Sequence, residues 1–225
     1  MTTADGGYAA GLRVGVGVGV ATFVMGVTFG ALAQSLGWGT LAAVASSALV
    51  FSGSAQFALA TALAGDGGVA LAVGAAALIN ARFLPMGIAV ASDLKGGRFR
   101  RALEGQAIVD ASWASAHMGN GRYDREKMIA ATLVQFPAWV LGTAAGALLA
   151  PDAGVIDRFG LDVVFPAFFL LLLIDELKES VRARWVTAFA AVLAGILTLV
   201  VPVGLAIVGS AAAALVGLRT RRAAE

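Results

Sequence analysis

Apolar residues fall in long blocks along this chain, separated by short stretches that hold nearly all of its charges. The blocks lie at about 14–34, 39–64, 67–92, 104–118, 128–150, 161–176, 185–201 and 203–218. Most are near 20 residues long, the length a helix needs to cross a hydrocarbon core of ~30 Å. The pattern predicts an all-α polytopic membrane protein with one transmembrane domain over 1–225.

The fourth block departs from the rest. Fifteen helical residues reach only about 22 Å, and Asp110, Ser112, Trp113, Ser115 and His117 interrupt its apolar run. Lys95, Arg98, Arg100 and Arg101 precede it, and Arg122, Arg125 and Lys127 follow. Basic loops stay in the cytoplasm, so both flanks belong on one side and the block should dip into the membrane and return, with Asp110 near its tip. Counting outward gives about seven transmembrane helices plus one re-entrant or short helix, N-terminus outside and C-terminus cytoplasmic. The alternative of eight plain crossings splits the two basic clusters across the bilayer.

Composition agrees with lipid as the solvent. Of the 225 residues, 59% are hydrophobic and 13% charged, with a mean hydropathy of +0.86, against about 45–50% and about 25% in soluble domains. The net charge of +2 sits in topology-setting loops and points to no nucleic-acid partner. No cysteine is present, which excludes thiol catalysis and thiolate metal sites. The stretch Met1 to Tyr8 lacks a basic region, so the first apolar block is expected to stay in the mature protein. Nothing resembles a nucleotide loop, a metal-binding cluster or a hydrolytic triad; no cofactor and no enzymatic activity are expected.

Two features suggest an internal repeat, with halves at about 10–120 and 126–218. Gly26-Val-Thr-Phe-Gly30-Ala-Leu32 recurs as Gly142-Thr-Ala-Ala-Gly146-Ala-Leu148, and Val50-Phe51-Ser52 recurs as Val164-Phe165-Pro166. In the seven-crossing count each member runs opposite to its mate. That predicts an inverted repeat, which builds a transport site at its interface. Gly11, Gly15, Gly19, Thr22, Gly26 and Gly30 line one face of the first block, and Ala131, Gln135, Ala138, Gly142 and Gly146 one face of the fifth. Small side chains so placed allow close helix packing.

Chemistry is confined to a few positions. Ser52, Gly53, Ser54, Gln56 and Phe57 interrupt block two near its midpoint, beside Phe51. A polar cluster at that depth faces the protein interior or a wet cavity, and a break at Gly53 would free backbone groups for a substrate's charged ends. Serines bonded to their own helix are the alternative. Pro166 stands at the matching place in block six and removes a backbone donor. Asn80 and Arg82 lie near the middle of block three. A central arginine costs at least ~2.5–3.5 kcal/mol on insertion scales and needs a partner, for which Asp110 is the candidate. The pair either holds two elements together or receives a zwitterion, arginine taking the carboxylate and aspartate the ammonium or a proton. Trp113, with Phe51 and Phe57, is a candidate wall for an apolar side chain. His117, the only histidine, belongs at the interface.

Taken together, GVTFGALAQSLGW (26–38), FSGSAQFA (51–58), LINARFL (78–84) and IVDASWA (108–114) resemble the signature stretches of the AzlC family. These are large subunits of two-component branched-chain amino acid exporters. Gln56, Phe57, Asn80, Arg82 and Asp110 fall on the family's pattern. The resemblance implies a bacterial inner-membrane secondary transporter that exports branched-chain, apolar amino acids together with a small hydrophobic AzlD-type subunit. Without an ATP-binding motif, coupling to an ion gradient is expected, with Asp110 as the coupling residue. A passive channel for small solutes and a non-transporting structural subunit are the rival readings.

Overall fold

The computed structural model describes residues 7–64, 68–119, 121–149 and 181–201, with residues 170, 174, 177, 178 and 210 besides. Pro166, the second half of the Val50–Ser52 repeat pair and the basic tail at Arg219–Arg222 lie outside the described residues. Helices dominate: α1 (Gly7–Ser35), α2 (Thr40–Val50), α3 (Gly53–Ala64), α4 (Gly68–Asn80), α5 (Phe83–Val90), α6 (Arg98–Gly105), α7 (Asp110–Ala116), α8 (Arg125–Leu148) and α9 (Val181–Thr198). No strand occurs among the described residues beyond one isolated bridge, His117 to Tyr123. Among the described residues three segments are long and apolar enough to cross a membrane, Gly7–Ser35, Gly68–Val90 and Arg125–Leu148.

The chain divides into two compact units, Met1–Gly53 with Asn80–Pro151, and Ser54–Ile79 with Asp152–Glu225. The first holds α1, α2 and α5–α8. The second holds nearly all of α3 and α4, and α9.

The first unit is organised by α1 against α8. Gly11, Gly15, Gly19, Gly26 and Gly30 of α1 are buried, as are Ala131, Gln135, Gly142 and Gly146 of α8. The two backbones approach so closely that a side chain would not fit. A methyl group on Gly26 would come within 2.6 Å of the Trp139 carbonyl oxygen, and one on Gly142 would strike that of Phe23. Likewise Gly30 faces the Thr143 carbonyl and Gly146 that of Val27. Each contact from α1 to α8 is answered by its repeat mate from α8 to α1, so a local two-fold axis runs along the pair.

This packing fixes direction. Gly7 lies beside Asp124, Gly15 beside Ala131, Gly26 beside Gly142 and Gly30 beside Ala147, so α1 and α8 run the same way. The inverted repeat expected from the sequence is overturned at this pair, which is parallel. A three-and-four spacing of small residues marks a helix face and carries no direction. The expected separation of the N-terminus from the basic loops fails with it, because the start of α1 lies at the start of α8.

Block 104–118 is no single helix. It holds the end of α6, a turn, and the seven-residue α7, about 10–12 Å per helix. Thr132 donates to the Ala107 carbonyl at 2.9 Å, while the Asp124 amide donates to the Ala116 carbonyl at 2.8 Å. The chain therefore meets α8 two turns up and then again at its start, about 12 Å lower. Val90, Ala107, Ala116, Tyr123 and Met128 fill the core at this base.

Substitution should report the α1–α8 contact directly. Gly142→Ala, which sets a methyl on the Phe23 carbonyl, should destabilise the solubilised protein by about 1–3 kcal/mol. Gly17→Ala, where a methyl meets nothing within 4 Å, should be neutral or mildly stabilising. Thermal unfolding in detergent measures both; equal effects would mean that the helices do not pack so closely.

Candidate functional site

Two interrupted helical segments meet in the first unit. The α2 helix ends at Phe51, whose φ of 39° is the one positive value outside glycine among the described residues. A bulky residue held left-handed is strained and persists only where its surroundings over-determine it. They do so here. The Phe51 ring meets Phe136 of α8 edge-on, with centroids 5.1 Å apart. Gly53 sits under Trp139, where an added methyl would come within 2.8 Å of the indole. One turn earlier, Ser47 and Thr143 of α8 share a 2.8 Å hydrogen bond in the buried interior.

Between these clamps Ser52 is buried, and its hydroxyl donates to the Asn80 amide oxygen at 2.7 Å. Asn80 ends α4, and the chain turns through Ala81 and Arg82 before α5. Arg82 Nη2 donates to Asp110 Oδ2 at 2.7 Å, and its guanidinium lies 5.1 Å from the Phe83 ring centroid. Asp110 opens α7. Just beyond the break in α2, Ser54, Gln56 and Phe57 are buried at the start of α3, and this part of the chain belongs to the second unit.

Ser52, Gly53, Asn80, Arg82 and Asp110 are thus brought to the two breaks. Trp113 is not; three residues beyond Asp110, it packs on Tyr123 at 5.2 Å in the basal cluster, its indole nitrogen buried without a hydrogen bond. His117 also packs on Tyr123, with ring centroids 5.2 Å apart. Side-chain exposure is 36% for Arg82 and 62% for Asp110, which leaves the ion pair open on one side. An open pair adds little stability and can exchange its partners for a zwitterion's carboxylate and ammonium. Among the described residues no group of histidines and carboxylates is placed to hold a metal.

A second polar knot went unmarked in the sequence. Glu104 is buried and accepts from Arg125 through both Nε and Nη2, from Arg100 Nε at 3.0 Å and from the Lys95 amide at 3.0 Å. Asp93 accepts from the Tyr123 amide at 3.0 Å, and Arg122 lies 3.6 Å from it. The basic loops on either side of block four are therefore tied to each other. The spacing of Arg100 and Glu104 was the available signal, a favourable i, i+4 pair.

These features define a polytopic helical membrane protein with a polar site where apolar segments break. The sequence pattern described as AzlC protein matches residues 17–151, and the chain belongs to the AzlC family. It is 26% identical over 197 residues to the branched-chain amino acid transport protein AzlC of Bacillus subtilis, covering 82% of this chain and 76% of that one. An uncharacterized membrane protein of Archaeoglobus fulgidus is 32% identical over 160 residues, 69% of this chain and 70% of its own. One from Helicobacter pylori is 23% identical over 72% of each. No solved structure matches.

Hydrogen bonds from Arg125 hold the Glu104 carboxyl down at about 2, from an ordinary value of 4.5, against burial, which acts upward; Lys95 and Arg100 add to the lowering. The ionised carboxylate therefore stabilises the fold above pH ~4.5, and its contribution fades as pH falls toward about 2. Glu104→Gln should cost on the order of 2–3 kcal/mol near neutrality, because Arg125 loses its counter-charge. Wild type and variant should converge in Tm at the acid end; a constant gap across pH would contradict this role.

Proposed function

We propose that the chain is a secondary transporter that exports branched-chain amino acids, with the site at the breaks in α2–α3 and α4–α5. The observation that carries this is the open Arg82–Asp110 pair beside the Ser52–Asn80 hydrogen bond. It is a ready-made set of one cation, one anion and neutral polar groups, on elements otherwise apolar. Arg82 receives the substrate carboxylate, and Asp110 the ammonium or a coupling proton. Membership of the AzlC family and the branched-chain transport named for the Bacillus relative support the substrate class. By the same family analogy a small AzlD-type subunit completes the transporter, in the bacterial inner membrane.

The parallel α1–α8 pair also revises the topology we propose. Two helices that cross in the same sense are joined by an odd number of crossings. With 68–90 crossing once and 104–118 returning, residues 40–64 enter the membrane and return, broken at Phe51–Ser52. The N-terminus then lies with the basic loops on the cytoplasmic side, where Arg13 joins them. Single cysteines at Tyr8, Lys95 and Glu126 should label together from the cytoplasm. Labelling of position 8 from the opposite face would reject this arrangement.

The 2.7 Å contact also suits a second reading, in which the pair only staples α7 to the α4–α5 break. Charge exchange separates the two. In dipeptide-loaded cells carrying the small subunit, Asp110→Asn should lower uphill leucine and valine efflux at least about tenfold, ~1.4 kcal/mol of lost interaction, while folded protein persists. The exchange Arg82→Asp with Asp110→Arg should restore folding but not efflux. A charge-swapped protein that exports at the original rate would establish the staple, and efflux unchanged by this chain would end the transport reading.

A further inference from the structure

A groove of about 550 Å³ runs along α8 between Arg125 and Phe136, walled by Phe51, Leu103, Ile129 and Leu133, with Arg100 at its mouth. We propose that it holds an anionic phospholipid of the cytoplasmic leaflet, the acyl chain in the groove and the phosphate at the arginines of α6. Eleven residues separate Arg125 from Phe136 on one helix, a rise of about 16 Å, and one leaflet of a ~30 Å core is about 15 Å deep. The groove thus extends from the base of the unit over the depth a single acyl chain occupies.

The short α6 helix has the character of an element lying in the interface. Phe99 and Leu103, one turn apart, are 78% and 58% exposed, while Arg98 precedes them and Arg100 and Arg101 lie between them. Apolar residues on one face and cations on the other are what hold a helix in the headgroup layer. Leu133, in the last turn before Phe136, is 54% exposed, so the wall opens sideways there, as an acyl chain requires.

The electrostatics select an anion over a zwitterion. Glu104, the carboxylate at the mouth, already accepts from Arg125, Arg100 and the Lys95 amide, which leaves an amino acid's ammonium without an acceptor there. Around it Lys95, Arg98, Arg100, Arg101 and Arg122 outnumber the acids, and basic pockets beside cytoplasmic helix ends take anionic headgroups.

Native mass spectrometry of the full chain, purified from vesicles of equimolar phosphatidylglycerol and phosphatidylcholine, tests this. Phosphatidylglycerol should be retained roughly fivefold over phosphatidylcholine, the preference expected of one cation at an anionic surface. Arg98→Gln should lower the ratio with Tm kept, and Arg98→Gln with Arg100→Gln should bring it toward one, with the loss in Tm that removing a Glu104 partner brings. Ala48→Trp, a bulky replacement at an apolar lining residue of α2, should lower retention of both lipids. Parity in the wild type would overturn the proposal, as would full displacement by millimolar inorganic phosphate, which would mark a free-anion site. Displacement by leucine would assign the groove to substrate instead. None of these outcomes depends on transport activity, so the proposal and the transporter reading fail separately.

Discussion

The contact on which the first unit depends is backbone against backbone, where glycines of α1 and α8 leave no side chain between the helices. In lipid, apolar side chains gain nothing by leaving their surroundings, so helix association relies on close van der Waals contact. Glycine makes that contact possible along most of α1. Once α8 is locked to α1, Phe136, Trp139 and Thr143 stand at fixed heights. These three residues hold the break in α2 through Phe51, Gly53 and Ser47. The strained Phe51 and the buried Ser52 are therefore consequences of the glycine seam, several residues removed from it.

The base of the unit follows another rule. There the chain leaves apolar packing for charge-assisted hydrogen bonds, with Glu104 and Asp93 gathering the two basic loops. A buried carboxylate with saturated acceptors, as Glu104 is, makes a rigid joint, because losing any one partner leaves a costly charge behind. Arg82 and Asp110 differ in being open to one side. Among the described residues a closed ionic knot thus contrasts with an accessible ion pair, and the latter is open to a change of partner.

Much of this was legible in the sequence. The apolar blocks announced membrane helices by length alone, and the Ser-Gly-Ser run at 52–54 marked the interruption because such residues have no place in a lipid-facing helix. Arg82 demanded an anion, and Asp110 was the one carboxylate inside a nearby apolar block. What escaped has physical causes too. The stripe Gly11 to Gly30 names a face, and a face fits a parallel or an antiparallel neighbour equally well; the inverted repeat was thus a choice the glycines could not make. Glu104 stood at the edge of a block defined by its apolar residues, which hid its part in binding the loops that flank it. Trp113 was a candidate wall for an apolar side chain, whereas it packs on Tyr123 in the basal cluster.

The seam also bears on how the protein is made. Residues that touch across it, such as Gly26 and Gly142, are 116 positions apart in the chain, so α1 is synthesised long before the surface it fits. At about 5–20 residues per second the interval is roughly 6–23 s. Throughout it the glycine face of α1 is an uncovered strip of backbone in the bilayer, available to any other helix with small residues. Biogenesis of this fold is thus a problem of protecting the first helix until the eighth arrives.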